Sequence, residues 1–326
     1  MNKVAAKLKR YYLDNQCKKQ LYPWTKKGGH VDLESPFVPV TIDIPIPGPT
    51  PIKERLDSYL DIFSEQQTHT RYCIFAKPGQ GKSTLCVKLA YDWCQKKTLQ
   101  HIQLLFILQL GLIKKDTTIE EAICSQLKFK DIDPVELGRV IRDLGDEVVI
   151  LFDSLDEAPR DLLEDESDVT GSVADVIKRD VMEECRVLVT TRPWRTDITD
   201  IAAFKRLELQ SFKRSDLIAY VRKFFSQNND PKAIVLGKGL VKLINDNKLL
   251  IDASTPLMAL LICWYWMETK GRGIPNRIWE LYDAVVTIMH KNNRRPLKKV
   301  KEKNRDDDLG VELYLRSNLV LECTVR

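Results

Sequence analysis

A glycine-containing loop between an apolar strand and an amphipathic helix constrains the fold of this chain more than any other feature. The loop reads Ala-Lys-Pro-Gly-Gln-Gly-Lys-Ser-Thr and occupies residues 76–84. Gly79 and Gly81 allow the backbone to curl around an anion without Cβ clashes, so several amide hydrogens can point at one phosphate. The helix that follows adds the positive end of its dipole at the same place. The sequence therefore predicts a phosphate-binding loop within an α/β fold.

Two polar side chains of this loop suit the phosphates and the metal of a bound nucleoside triphosphate. Lys82 can bridge the β- and γ-phosphates, and the hydroxyl of Ser83 can ligate Mg²⁺. Ala76 stands where the usual motif has its first glycine, and the end of a strand tolerates this small residue. The alternative is a glycine-rich turn with a chance Lys-Ser, but the strand before the loop and the helix after it favour phosphate. The candidate nucleotide contacts are Ala76, Lys77, Pro78, Gly79, Gln80, Gly81, Lys82, Ser83 and Thr84.

Three acidic residues follow the apolar run at residues 148–152. A buried strand there would deliver Asp153 to the carboxyl edge of the sheet, where it can hold Mg²⁺ directly or through water. Asp156 and Glu157 lie just beyond, where a carboxylate can orient or deprotonate an attacking water. A solvated acidic turn is the alternative interpretation. We therefore predict Ser83 and Asp153 as metal ligands, and Asp156 and Glu157 as catalytic acids.

A third group of polar residues ends the next apolar strand, where Thr190 and Thr191 precede Arg192 and Pro193. An arginine at the carboxyl edge of the sheet can contact a γ-phosphate and respond to its presence. The alternative is a surface arginine that merely terminates the strand. We predict that Arg192 is the third catalytic residue.

Apolar periodicity predicts alternating strands and helices. Strands are expected at residues 72–76, 102–110, 147–152, 186–190 and 207–209, and helices at 82–97, 118–128 and 134–144. Continuous apolar strands alternating with helices imply a mostly parallel sheet with helices on both faces. After residue 212 the pattern is all-helical. The predicted fold class is therefore α/β, followed by an all-α domain.

The first 70 residues are less regular. Residues 1–35 indicate a basic amphipathic helix and then a loop around Gly28 and Gly29, and residues 37–42 a short strand. Prolines at positions 45, 47, 49 and 51 predict an extended connector without backbone donors. Residues 52–64 are expected to form a helix, because Leu56, Tyr59, Leu60 and Phe63 would share one face.

Composition excludes several classes of protein. With 44% hydrophobic residues and a net charge of only +5, the chain has a globular composition that does not call for a nucleic-acid partner. The basic residues crowd both ends, and solvated surface explains them better than a partner or membrane patch. The eight cysteines form no Cys-x-x-Cys pair, which indicates reduced thiols and a cytoplasmic location. The longest apolar run, 256–267, is too short for a transmembrane segment.

The motifs together resemble the NACHT family of signal-transduction P-loop ATPases, of the STAND class and NOD-like receptor type. Residues 153–157, Asp-Ser-Leu-Asp-Glu, are similar to the family's Asp-Gly-x-Asp-Glu, with Ser154 in place of glycine. Residues 190–193 resemble its sensor strand, and residues 209–212 its exit into a helical domain. Thr255-Pro256-Leu257 is similar to the segment whose proline touches the nucleotide base. The resemblance covers about residues 30–292, and the motifs fall in the family's order.

The resemblance implies a domain organisation and a function. It divides the chain into an N-terminal segment (1–70), a nucleotide-binding domain (71–212), a helical domain (213–292) and a charged, truncated tail (293–326). It implies an ATP/ADP and Mg²⁺ switch, a slow ATPase if active, in which Pro256 contacts the base. It further implies self-association in innate-immune or cell-death signalling, through an adaptor or effector that the sequence does not identify.

Two other classes of function compete with a regulatory switch. A P-loop small-molecule kinase needs a second substrate pocket and usually a basic lid, for which the sequence offers no clear candidate. A scaffold that binds nucleotide without turnover is the other alternative, and the retained Asp153, Asp156 and Glu157 argue weakly against it.

Overall fold

Short apolar runs dominate the part of the chain that forms a sheet, as expected for strands covered on both faces. The structure is a computed structural model that describes residues 2–20, 30–32, 37–46, 52–64, 70–95, 98–159, 161–164, 169–195, 204–227, 230–246, 249 and 251–293. The chain divides into two units: Met1–Lys18 with Pro39–Ser211, and Lys19–Val38 with Phe212–Arg326.

The described residues contain a two-stranded and a seven-stranded sheet. The small sheet pairs β1 (Lys18–Gln20) with β2 (His30–Asp32). The large sheet contains β3 (Ile42–Ile46), β4 (Ile52–Arg55), β5 (Arg71–Phe75), β6 (Leu104–Gln109), β7 (Val148–Asp153), β8 (Arg186–Thr191) and β9 (Lys205–Leu209). Its order is β4-β3-β9-β5-β8-β7-β6, in which the strands from β9 to β6 are parallel and β3 is antiparallel to both neighbours. The predicted, mostly parallel sheet is confirmed, including β9.

The strand order brings three of the predicted motifs to neighbouring positions. Strand β8 lies between β5 and β7, so the segments that follow these three strands leave the sheet side by side at its carboxyl edge. All residues of β5, β7 and β8 are buried, which gives the edge a rigid base. In open parallel sheets this edge is where ligands bind.

Helices of the first unit flank the large sheet. They are α1 (Asn2–Tyr11), α2 (Lys82–Gln95), α3 (Ile119–Gln126), α4 (Pro134–Leu144), α5 (Asp161–Glu164) and α6 (Val173–Lys178). The apolar positions Leu85, Leu89 and Trp93 recur four residues apart on α2 and are buried, as the sequence predicts. Capping residues explain the starts of α3 and α4: the side chains of Thr118 and Asp133 accept hydrogen bonds from backbone amides of their first turns.

The structure corrects two predictions in the N-terminal segment. The expected helix at 52–64 is wrong, because residues 52–55 form β4, which pairs antiparallel with β3, and Tyr59–Phe63 is a short 3₁₀ turn. The strand expected at 37–42 instead occupies Ile42–Ile46. It includes Pro45, which the sequence pattern assigns to the extended connector. Since β3 pairs with β9 only at Ile42 and Asp43, Pro45 has a ladder on one side alone, the edge-like setting that proline tolerates.

The second unit contains α7 (Arg214–Ser226), α8 (Pro231–Asn245), α9 (Pro256–Glu268) and α10 (Ile278–Asn293). The predicted helical character after residue 212 is confirmed. Pro256 is the first residue of α9, where its missing amide costs no helical hydrogen bond, and the side chain of Thr255 caps the helix by accepting from the Met258 amide at 3.2 Å. Most of the apolar residues of α9 are buried.

Some expectations concern residues outside the described ranges. The loop around Gly28 and Gly29 and the charged segment 294–326 are among them. Among the helices that the structure does describe, none combines the length and the apolar character needed to cross a membrane.

Candidate nucleotide-binding site

The loop that joins β5 to α2 adopts the conformation expected of a phosphate-binding loop. Gly79 and Gly81 have φ angles of 73° and 94°, in the left-handed region that side-chain-bearing residues rarely adopt. The Gly81 carbonyl accepts the first helical hydrogen bond, from the Leu85 amide at 2.9 Å. The chain therefore curls immediately before the amino end of α2, where backbone amides and the helix dipole favour an anion.

The buried side chain of Gln80 stabilises this loop through two hydrogen bonds. The residue is 4% exposed, and its side chain accepts a hydrogen bond from the Lys77 amide at 2.5 Å and donates one to the hydroxyl of Ser211 at 3.1 Å. At the start of the loop, the Ala76 amide donates to the Thr191 carbonyl at 3.0 Å. Sequence reasoning included Gln80 only as a member of the loop and missed Ser211. Their contact depends on β9 lying beside β5, which the sequence pattern did not specify.

Lys82 turns back over the loop that precedes it. Its Nζ lies 3.4 Å from the carbonyl oxygen of Ala76, to which it donates. Burial lowers the pKa of Lys82, the charge of Asp156 opposes this shift, and the charge of Arg192 adds to it. The charges of Asp153 and Glu157 also raise the pKa of Lys82. The structure thus brings the predicted lysine, arginine and three acids within electrostatic reach of one another.

Asp153 ends β7 and is 4% exposed. Its Oδ1 accepts a hydrogen bond from the Thr190 hydroxyl at 2.7 Å, and that hydroxyl in turn accepts from the Ser154 amide at 2.9 Å. The sequence placed Thr190 on the sensor strand without assigning it this contact. Ser154 has φ 62° and ψ 63°, a left-handed conformation that suits glycine better than serine. The backbone geometry thus explains why a glycine is usual at this position of the motif.

The two acids beyond Asp153 differ in exposure. The Asp156 side chain is 2% exposed, and its Oδ2 lies 2.6 Å from Nε of Arg192, whose side chain is 13% exposed. This is an ion pair by distance, although Nε lacks the alignment of a hydrogen bond. Glu157 is exposed. Partial desolvation by the surrounding protein raises the pKa of Glu157, and the charges of Asp156 and Asp153 raise it further, while Arg192 and Lys82 act in the opposite direction.

Gly111 is a further residue of this edge that sequence reasoning missed. It lies in the turn Leu110–Leu112 that follows β6. A Cβ placed on Gly111 would lie 3.2 Å from the carbonyl oxygen of Glu157, tighter than most packed contacts. A glycine there lets the two turns pack closely, which fixes the backbone that carries Glu157.

The donor set suits Mg²⁺ bound together with a nucleotide. In the part of the chain that the structure describes, no three His, Cys, Asp or Glu side chains gather as a metal site. Mg²⁺ at phosphate sites needs few protein ligands, because water and phosphate oxygens supply the rest. One carboxylate, Asp153, and one exposed hydroxyl, Ser83 at the start of α2, fit this requirement. Pro256 belongs to the second unit, and its contact with a base stays a prediction.

The fold and the site define the class of protein. A mostly parallel sheet with flanking helices, a glycine loop that leads from β5 into a helix, and an acid at the end of β7, two strands away, make this a P-loop NTPase fold. Residues 71–228 match the family model of the NACHT domain. The chain therefore contains a NACHT domain, as its motifs indicated.

The chain is also similar to larger curated proteins. It is 25% identical over 206 residues to Baculoviral IAP repeat-containing protein 1g of Mus musculus. The aligned region covers 61% of this chain and 14% of that protein. It is 25% identical over 194 residues to Protein NLRC5 of Homo sapiens, covering 58% of this chain and 10% of that protein. The chain thus spans about a seventh or less of the length of these relatives. Among solved structures, a RuvB variant of Thermotoga maritima matches with a TM-score of 0.37 and 13% identity, over 71% of this chain and 65% of that chain.

Proposed function

We propose that this chain is a regulatory switch that binds ATP or ADP together with Mg²⁺. The observation that carries the proposal is the loop at residues 76–81, which curls through two left-handed glycines into the amino end of α2. It leaves the sheet two strands away from Asp153, with β8 between them. Backbone amides of the loop would hold the phosphates, and Lys82 would neutralise their charge. Ser83 and Asp153 would hold the metal.

The triphosphate and the diphosphate would differ in one group, the γ-phosphate, and in the contacts that this group makes. Arg192 is our candidate for that response. It follows β8, the strand between the loop and the acids, and this position supports the choice. A ligand shifts a conformational equilibrium only through contacts that differ between states. In the proposed function the contact of Arg192 with the γ-phosphate supplies that difference.

Hydrolysis would return the switch to its diphosphate form. Glu157 is exposed and Asp156 lies one residue before it, so either carboxylate is a candidate to orient the attacking water. A switch must keep its ATP long enough to assemble, and we expect turnover well below the enzyme median of about 10 per second.

The proposed switch would need two domains to respond to the nucleotide and a partner protein to receive the signal. We assign residues 71–212 to the nucleotide-binding domain and 213–292 to a helical domain, in which Pro256 contacts the base. The ATP form would self-associate and signal, in the cytoplasm and in innate immunity or cell death, through an adaptor or effector protein. The match of residues 71–228 to the NACHT-domain model supports the nucleotide-binding part of this assignment.

The test of the switch is the mass of the protein in solution with each nucleotide. Light scattering with Mg²⁺ and the slowly hydrolysed analogue ATPγS should show larger species than with Mg²⁺ and ADP. Lys82→Ala should show no such difference, and Lys114→Ala, which removes an exposed lysine outside the loop, should behave as the wild type. A mass that is the same with both nucleotides at saturating binding would contradict the switch.

A further inference from the structure

The ion pair between Asp156 and Arg192 joins two segments of the candidate site. Asp156 lies in the turn after β7, and Arg192 directly follows β8, the neighbouring strand. Nε of Arg192 approaches Oδ2 of Asp156 to 2.6 Å, and both side chains are largely withdrawn from solvent. A carboxylate in such a place depends on a cationic partner, because burial without one is costly.

The burial of Asp156 sets it apart from its neighbour Glu157. A general base must reach the water that it activates, within hydrogen-bond distance or through one further water. The exposed Glu157 meets that requirement, whereas the Asp156 side chain is 2% exposed and already has Arg192 against one of its oxygens. Among the described residues, the other oxygen, Oδ1, has no hydrogen-bond partner. Asp156 is therefore better placed to act on Arg192 than on a water.

Because Asp156 contacts Arg192 at Nε, the two terminal nitrogens of the guanidinium are left for other contacts. A guanidinium carries five N–H donors, of which Nε supplies one and the two terminal nitrogens supply four. The 2.6 Å approach to Asp156 is made by Nε. An ion pair at Nε restricts the rotamers of the side chain before a ligand arrives, so binding through the terminal nitrogens costs less entropy.

We propose that Asp156 is a positioning residue, which holds Arg192 by its Nε so that the terminal nitrogens of the guanidinium meet the γ-phosphate of a bound triphosphate. This inference rests on the proposed function and deepens it, since it assigns the preference for ATP over ADP to a pair of residues. It gives Asp156 a different task from the catalytic one expected from the sequence and leaves the water to Glu157.

A specific pattern of affinities follows from this role. ADP has no γ-phosphate, so loss of the pair should leave ADP affinity within about twofold of the wild type. The affinity for ATPγS should fall about tenfold in Asp156→Asn and at least as much in Arg192→Ala, as expected for a charge-assisted contact. Both residues act through one contact. The variant that combines Asp156→Asn with Arg192→Ala should therefore bind ATPγS no more weakly than Arg192→Ala alone.

Calorimetric titration of the full chain with ATPγS or ADP, each with Mg²⁺, measures these affinities. Asp156→Glu keeps a carboxylate and should recover part of the lost preference for ATPγS. The role would be overturned if Asp156→Asn kept the wild-type preference while hydrolysis slowed, since Asp156 would then act on the water. The role would also be overturned if the affinity losses of Asp156→Asn and Arg192→Ala multiplied in the variant that combines them, because the two residues would then make independent contacts.

Arg192→Ala leaves the buried Asp156 without its cationic partner, which lowers the stability of the fold. Asp156→Asn combined with Arg192→Gln removes both charges and avoids that problem; thermal melting of each variant verifies the fold. This double variant should bind ADP normally and have lost the preference for ATPγS, and a retained preference would overturn the role. Failure of the wild type to bind either nucleotide would instead refute the proposed function itself.

Discussion

Replacing Lys82 with alanine separates ligand binding from fold stability. In the structure, the Lys82 ammonium has a hydrogen bond of 3.4 Å to the Ala76 carbonyl, and burial lowers its pKa. The charged side chain is therefore poorly solvated in the fold. Its removal should cost the fold little, and we expect a melting temperature within about 3 °C of the wild type, which corresponds to roughly 1 kcal/mol for a protein of this size.

The same substitution should strongly weaken nucleotide binding. A charge-assisted contact to phosphate oxygens contributes roughly 2–4 kcal/mol, which corresponds to a loss of about 30-fold to 900-fold in affinity. Titration calorimetry with Mg²⁺ and ATPγS measures the loss directly. Lys114→Ala removes the same charge from an exposed position and should bind as the wild type. Equal affinities of Lys82→Ala and wild type, with both folded, would refute the reasoning.

Further predictions concern the acids and the far edge of the sheet. Asp153→Asn should weaken ATPγS binding in Mg²⁺ but not in EDTA; an equal loss in both would exclude a metal role. Glu157→Gln should bind normally but hydrolyse slowly. Because partial desolvation and the neighbouring acids raise the pKa of Glu157 and the base must be ionised, wild-type turnover should fall as pH drops through that raised pKa, a fall that Glu157→Gln should lack. Tyr12→Phe should cost about 1–3 kcal/mol in urea unfolding, since the Tyr12 hydroxyl donates to the Leu105 carbonyl and accepts from the Ile107 amide, both at 3.0 Å; unchanged stability would contradict this.

The centre of the sheet could be predicted because its signals are local. Strands β5 to β8 consist mainly of apolar residues that are consecutive in the chain, and the glycine loop directly follows β5. Neighbouring residues in the chain therefore define both strand and loop. The helix expected at 52–64 failed for the opposite reason. Its apolar spacing fits one face of a helix, but residues 52–55 instead pair with β3 as a strand. Apolar periodicity along one segment does not indicate which other segment it will pair with.

Parts of the candidate site also escaped prediction, because they depend on strand order. The Asp156–Arg192 pair and the Thr190–Asp153 hydrogen bond form only when β8 lies beside β7. Likewise, Gln80 reaches Ser211 because β9 lies beside β5. The sequence indicates which residue types occupy the ends of these strands. It does not indicate which ends are neighbours.

The most direct test of nucleotide binding is a crystal structure with ATPγS and Mn²⁺, in which anomalous scattering locates the metal. We expect the phosphates within the loop at residues 76–84, Lys82 against the terminal phosphates, and Mn²⁺ beside Ser83 and Asp153. Arg192 should contact the γ-phosphate with its terminal nitrogens while its Nε remains against Asp156. A nucleotide bound elsewhere, with this loop empty, would contradict the account.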